Sequence, residues 1–319
     1  MPTTEIHGRH PSDELPQALA ETGLRGFAQV VLQTNLLTGA LILAGLFAYS
    51  WQAGVFGLFG TVVATVTAYL LGADRTAIHQ GLHGFNGCLT GVAVLVFLGM
   101  HLSTWLLALF GAAAATLVSA ALATVFSTWG LTGLTAPFCV VSGVMVVGAP
   151  SFARLWHTGS PAALPTVTTG DRALSWNDLW HAFFNNVAEI FLLNTWYSGL
   201  LILAGLFLAG VRVGLFAVAG SVLGIVVAWA FGAPAAVIAN GIYGYNAVLV
   251  AIALGVTFLA RGTWETGYAL FGAVLSCALT ASLTSFFKPF GGHTFTWPFI
   301  LTTWLLLLAV PGLTRLRRA

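Results

Sequence analysis

Charge is scarce in this sequence. Only 6% of its 319 residues are Asp, Glu, Lys or Arg, against roughly 25% in an average soluble domain, which excludes an ordinary water-soluble globule. Eleven basic and nine acidic residues leave a formal charge of +2, so the chain has neither the basic surface of a nucleic-acid binder nor an acidic tail. Cysteine is as sparse. Cys88, Cys139 and Cys277 are odd in number and far apart, which fits neither a disulfide framework nor a zinc knuckle, and they read as small core residues. Residues 1–23 carry Glu5, Arg9, Asp13, Glu14 and Glu21 and contain no apolar run of the kind a cleaved signal peptide needs. They read as a polar N-terminal tail.

What remains is apolar. Hydrophobic residues make up 58% of the chain and its mean hydropathy is +0.92, the composition of a protein solvated mainly by lipid, where every unpaired polar group is costly. The expected fold class is an all-α integral membrane protein with about ten transmembrane helices and two half-membrane re-entrant helices, the latter set by the roughly 20 residues that a full crossing requires. Two apolar segments, 87–100 and 246–260, fall short of that length. Each follows a short stretch, 75–85 or 234–244, that closes on a glycine-rich turn.

The sequence repeats itself. GALILAGLF at 39–47 returns as GLLILAGLF at 199–207, and GLHGFNGCLTG at 81–91 returns as GIYGYNAVLVA at 241–251, both 160 residues on. LTAPF at 134–138 returns as FTWPF at 295–299, an offset of 161. Three motifs in one order at near-constant spacing mark a duplicated unit. The expected organisation is a first membrane repeat over 24–150, an extracellular linker over 151–180, a second repeat over 181–313 and a basic C-terminal tail over 314–319. Five crossings per unit is an odd number, so the second copy enters the bilayer from the opposite side, the inverted arrangement that transport proteins use. Charge fixes the orientation. With both termini cytoplasmic, eight arginines, among them Arg9, Arg25, Arg75, Arg212 and Arg261, lie inside, and Arg154, Arg172 and Lys288 lie outside.

Irregular backbone inside a membrane is tolerated only within protein or along a wet path, so the paired interruptions are the pore candidates. A half-helix ending near His83, with Gly84 just beyond it, would present carbonyls without intrahelical partners. Such acceptors beside Phe85, with counterparts beside Tyr245, suit a flat neutral solute bearing several N–H groups. Amides and urea fit that description.

The repeated GALILAGLF/GLLILAGLF, GLHGFNG/GIYGYNA and LTAPF/FTWPF segments resemble those of the urea transporter family, in a short, bacterial-like form, over about Leu24 to Leu313. The resemblance implies a homotrimer in the cell membrane (the inner membrane in a bacterium) with one pore per protomer and passive, channel-like permeation of urea. It also implies a narrow filter of aromatic rings, oxygen ladders and a central threonine pair. Carried onto this chain, the threonines are Thr135 and Thr296, the ring positions Phe85 and Tyr245 with Leu89 and Leu249 following them, and the polar mouth positions Gln29 and Glu189. The chain departs from the family pattern at Asn35-Leu36 and Thr195-Trp196, where Asn-Pro is common, and at Leu32 and Leu192, where an aromatic ring is common. One wall of each slot is therefore expected to be aliphatic.

Other functions compete on the same residues. An ammonia or ammonium channel would place histidines and an aromatic cage deep in the pore, yet most of the eight histidines lie in tails or near segment ends. A membrane-embedded enzyme would need a nucleophile with its base, or metal ligands, around a shared cavity, and no such arrangement recurs in the repeat. His79 and His83 stand at i and i+4, but two ligands leave a metal site incomplete, and nothing in the sequence calls for a cofactor. A single Glu189 opposite the neutral Gln29 favours passive flow over ion coupling, because coupled pumps bury paired carboxylates.

Overall fold

The computed structural model describes residues 11–157 and 162–319. Residues 1–10 of the expected tail, Arg9 included, lie outside the described residues, and helix α1 (Pro11–Gln29) begins within the rest of it. The described residues form fourteen α-helices in two runs of seven, and no strands. The first run continues with α2 (Leu36–Tyr49), α3 (Trp51–Leu70), α4 (Arg75–His79), α5 (Gly84–Leu98), α6 (Leu102–Ser127) and α7 (Ala136–Gly148). The second run is α8 (Trp176–Ala188), α9 (Trp196–Ala209), α10 (Val211–Ala230), α11 (Ala235–Ala239), α12 (Tyr245–Ile252), α13 (Thr263–Phe287) and α14 (Trp297–Ala309). A six-residue π-helix, Ala253–Phe258, extends α12.

Length sorts these helices. Four spans, Trp51–Leu70, Leu102–Ser127, Val211–Ala230 and Thr263–Phe290, are long and apolar enough to cross a bilayer, and α8 meets α9 at a 77° bend. Five shorter apolar helices, led by Leu36–Tyr49 and Gly84–Leu98, pack among them. Leu70, Leu102, Phe110 and Phe231 stand on the outer surface with most of their area exposed. An outer face so apolar suits lipid rather than water.

Small residues let the central helices approach closely, as they do between helices in membranes generally. The Thr38 hydroxyl donates to the Gly205 carbonyl at 2.7 Å, and the Ser198 hydroxyl donates to the Gly45 carbonyl at 2.8 Å. Each residue of one bond has its counterpart, 160 positions along, in the other, so α2 and α9 are joined by a reciprocal pair. A β-carbon on Gly39 would lie 1.9 Å from the Leu24 carbonyl oxygen, and one on Gly199 would lie 1.9 Å from that of Phe184. Both glycines are thus required where α1 crosses α2 and where α8 crosses α9.

One expectation fails here. No half-helix ends near His83: α4 stops at His79 after five residues, and Gly84 opens α5 instead of following the end of a helix. The carbonyls freed at that end are taken up locally, that of His79 by the Arg25 guanidinium at 3.1 Å and that of Gln80 by the Gln29 amide at 3.0 Å. The helices that stop at a left-handed leucine beside the core are α1 and α8.

Candidate functional site

Helices α1 and α8 end alike. After α1, the N–H of Leu32 donates to Gln29 at 3.0 Å and that of Gln33 to Ala28 at 3.0 Å; after α8, Leu192 donates to Glu189 at 3.0 Å and Leu193 to Ala188 at 3.3 Å. This is the Schellman ending, in which a left-handed residue, usually glycine, turns the chain away. Here that residue is Leu32 or Leu192, each at φ 61°. A side chain forced into this region costs on the order of 1 kcal/mol or more, and such outliers gather at functional sites.

Among the described residues the other two non-glycine residues of positive φ are Leu134 at 49° and Phe295 at 44°. They immediately precede Thr135 and Thr296, the N-cap residues of α7 and α14. All four strained positions therefore come in pairs that match across the repeat, and each pair flanks residues expected at the filter.

Thr135 and Thr296 meet. Their hydroxyl oxygens lie 2.7 Å apart with both side chains buried, and the Cys139 thiol sits 3.2 Å from the Thr296 hydroxyl. An N-cap threonine ordinarily accepts the N–H of the second or third helical residue. Neither does so here. The second residues, Pro137 and Pro298, have no N–H to offer. The third, Phe138 and Phe299, donate to Asn86 Oδ1 at 3.2 Å and to Asn246 Oδ1 at 3.1 Å. Two asparagines on α5 and α12 thus cap α7 and α14 from outside and leave the threonine hydroxyls free for each other.

The remaining contacts fix the strained turns. Asn86 also donates to the Leu134 carbonyl at 3.3 Å, and in the second copy the Tyr245 hydroxyl donates to the Phe295 carbonyl. Leu89 and Leu249 are fully buried in the central core. Gln29, Leu32 and Phe85 share the wall of a cavity of about 470 Å³ with His83, Asn86 and Pro137. The buried Nδ1 of His83 has no hydrogen-bond partner there. On the other side Glu189 is buried, and no hydrogen bond or ion pair among the described residues engages its carboxylate. The two departures from Asn-Pro are helix starts: Asn35 caps α2 by accepting the N–H of Thr38 at 3.0 Å, and the Thr195 hydroxyl donates to Ser198 at 2.9 Å.

The residues that sequence reasoning missed are Asn86 and Asn246, with Leu134 and Phe295. The asparagines had a signal: each is an uncharged polar residue inside an apolar run, and they recur 160 apart within the GFNG and GYNA motifs. Among the described residues no three His, Cys, Asp or Glu side chains converge as a metal site would require.

The chain is similar to known proteins over most of its length. The sequence profile of the family described as Urea transporter matches residues 20–311. Urea transporter 1 of Ovis aries is 34% identical over 305 residues, which cover 92% of this chain and 78% of that protein. Urea transporter 1 of Capra hircus gives the same identity and coverage. Urea transporter 1 of Rattus norvegicus is 32% identical over 297 residues, covering 89% of this chain and 75% of that protein.

Proposed function

The chain belongs to the urea transporter family and mediates facilitated permeation of urea; from that premise we propose that the solute passes between the hydroxyls of Thr135 and Thr296. The observation that carries this reading is their 2.7 Å approach, made by residues 161 positions apart on opposite copies. A hydroxyl both donates and accepts. The pair satisfies itself when no solute intervenes, and each member can rotate to an N–H or a carbonyl of urea as the molecule comes between them.

Urea loses water on entering so narrow a passage and must find acceptors at once, because an unmet polar group costs about 1–3 kcal/mol. In this reading Gln29 at one mouth and Glu189 at the other receive its N–H groups, and Phe85 and Tyr245 supply faces for the flat molecule. Leu32 and Leu192 form the aliphatic side of each slot. Binding must stay weak enough for exit to be fast. Because urea is neutral, flux is independent of membrane potential.

The wider architecture we propose is the inverted five-plus-five repeat, with ten crossings, α1 and α8 as the re-entrant helices and both termini in the cytoplasm. The reciprocal bonds between α2 and α9 and the paired strained residues support it. The protein would sit in the cell membrane as a homotrimer with one pore in each protomer. Stopped-flow light scattering on proteoliposomes, comparing urea with acetamide, ammonia and glycerol, tests the function. Fast, saturable urea entry above that of empty vesicles is expected. Movement of ammonia or another amide without excess urea flux would transfer the pore to that solute.

A further inference from the structure

Between its second and third repeated motifs the second copy is one residue longer than the first, and the structure shows where that residue lies. The offset between them is 160 at the GFNG and GYNA motifs and 161 at LTAPF and FTWPF. Matching Val96-Phe97-Leu98 to Val256-Thr257-Phe258-Leu259 locates the extra residue at Thr257. It falls inside the π-helix Ala253–Phe258, whereas the matching stretch of the first copy is ordinary α-helix through Leu98. A π-turn is how a helix absorbs one added residue without losing the register on either side, and such turns are frequent at functional sites.

The local chemistry holds this turn in place. Widening the helix releases backbone carbonyls from their usual partners. That of Gly255 accepts two bonds from Arg212, at 3.0 Å from Nε and 2.8 Å from the terminal nitrogen. The residue matching Arg212 in the first copy is Gln52, and the one matching Gly255 is Leu95. A β-carbon at Gly255 would come within 2.2 Å of the Phe216 ring, over which the Arg212 guanidinium also lies. Arginine, glycine and insertion thus form one device that the first copy lacks.

The insertion opens on the 470 Å³ cavity before the threonine pair. Thr257 and Phe258 are the only second-copy residues in its described lining. Phe258 has a counterpart in Phe97; Thr257 has none. No hydrogen bond within the described residues engages the Thr257 hydroxyl. The same cavity holds the buried, unpartnered Nδ1 of His83, whose counterpart is Tyr243. Two free polar groups peculiar to one mouth therefore line an otherwise mainly apolar chamber.

We propose that Thr257, set in position by Arg212, forms with His83 a docking station for a small neutral amide at the Gln29 mouth, ahead of the filter. The station rests on the reading of the protein as a urea channel and adds to it an asymmetry between the two mouths. Thr257 touches the solute; Arg212 is a positioning residue that acts through the π-turn.

Urea influx into proteoliposomes, measured over a range of concentrations, tests it with Thr257→Val, Thr257→Ser and Arg212→Gln. Valine keeps the shape and removes the hydroxyl, so half-saturation is expected at about fivefold higher urea with maximal flux little changed, as for one lost hydrogen bond. Serine restores the hydroxyl and the original half-saturation. Arg212→Gln, the residue of the first copy, is expected to behave like the valine variant. Equal half-saturation for valine, serine and unmutated protein would overturn the station, as would equal rises for valine and serine, which would make the effect one of shape. Absence of saturable urea flux in the unmutated protein would overturn the channel reading itself, and the station with it.

Discussion

Asn86 and Phe138 lie 52 residues apart in sequence, and the carboxamide oxygen of the first accepts the backbone N–H of the second at 3.2 Å. That bond takes over the capping of α7 from Thr135, which stands at the N-cap position without serving it. Asn246 and Phe299 repeat the arrangement at 3.1 Å beneath Thr296. A hydroxyl that would otherwise be spent on its own helix is released to the place where the two copies meet.

Replacing Asn86 or Asn246 by Ala should therefore act on transport as well as on stability. The stranded N–H of Phe138 or Phe299 costs about 1–3 kcal/mol, read as a lower thermal midpoint in detergent. It also recaptures the neighbouring threonine hydroxyl, so urea flux in proteoliposomes should fall about tenfold or more. Full flux in a destabilised Asn86→Ala protein would confine the asparagine to a structural role.

The left-handed residues Leu32 and Leu192 make a separate prediction. A β-branched side chain is a severe outlier at positive φ, so Leu192→Val should lower stability by about 1–3 kcal/mol, the scale of such strain. Leu192→Gly relieves the backbone but removes the slot wall. It should hold its thermal midpoint better than the valine variant while losing discrimination between urea and methylated ureas. Equal stability of the two variants would show that the turn is not constrained as described.

Among the described residues no hydrogen bond or ion pair engages the Glu189 carboxylate, the condition expected of a group that serves a passing solute. Glutamine keeps one carbonyl acceptor but puts an amide donor where the second carboxyl oxygen stood, so one acceptor for a urea N–H is lost. Glu189→Gln should raise the urea concentration for half-maximal flux several-fold while leaving the thermal midpoint in place. An unchanged flux with a shifted midpoint would make Glu189 a structural residue.

The sequence disclosed the parts of this site that repeat as whole motifs. Thr135 and Thr296 were legible through the resemblance to the urea transporter family, and their recurrence in a Thr-x-Pro-Phe setting at matched positions supported it. The helix end expected near His83 was misplaced for a physical reason. Glycine-rich turns at 81–84 and 241–244 look like helix ends, whereas α1 and α8 carry polar residues that read as tail and linker, and their true ends are turned by leucine where glycine is usual. The caps were hidden because Asn86 and Phe138 are joined only by the fold. The π-turn left one trace in the sequence, the change of offset from 160 to 161.

The most direct test of the account is urea flux through Thr135→Val and Thr296→Val proteins, measured by stopped-flow light scattering on proteoliposomes containing matched amounts of folded protein. Valine nearly conserves volume, so the packing around Cys139 should survive, while the hydroxyl stranded on the partner threonine lowers the thermal midpoint on the scale of about 1–3 kcal/mol without unfolding the protein. Loss of one hydroxyl at the meeting point of the two copies should slow urea by about one to two orders of magnitude, the rate equivalent of 1–3 kcal/mol. Unaltered urea flux in both variants would contradict the claim that the solute passes between Thr135 and Thr296.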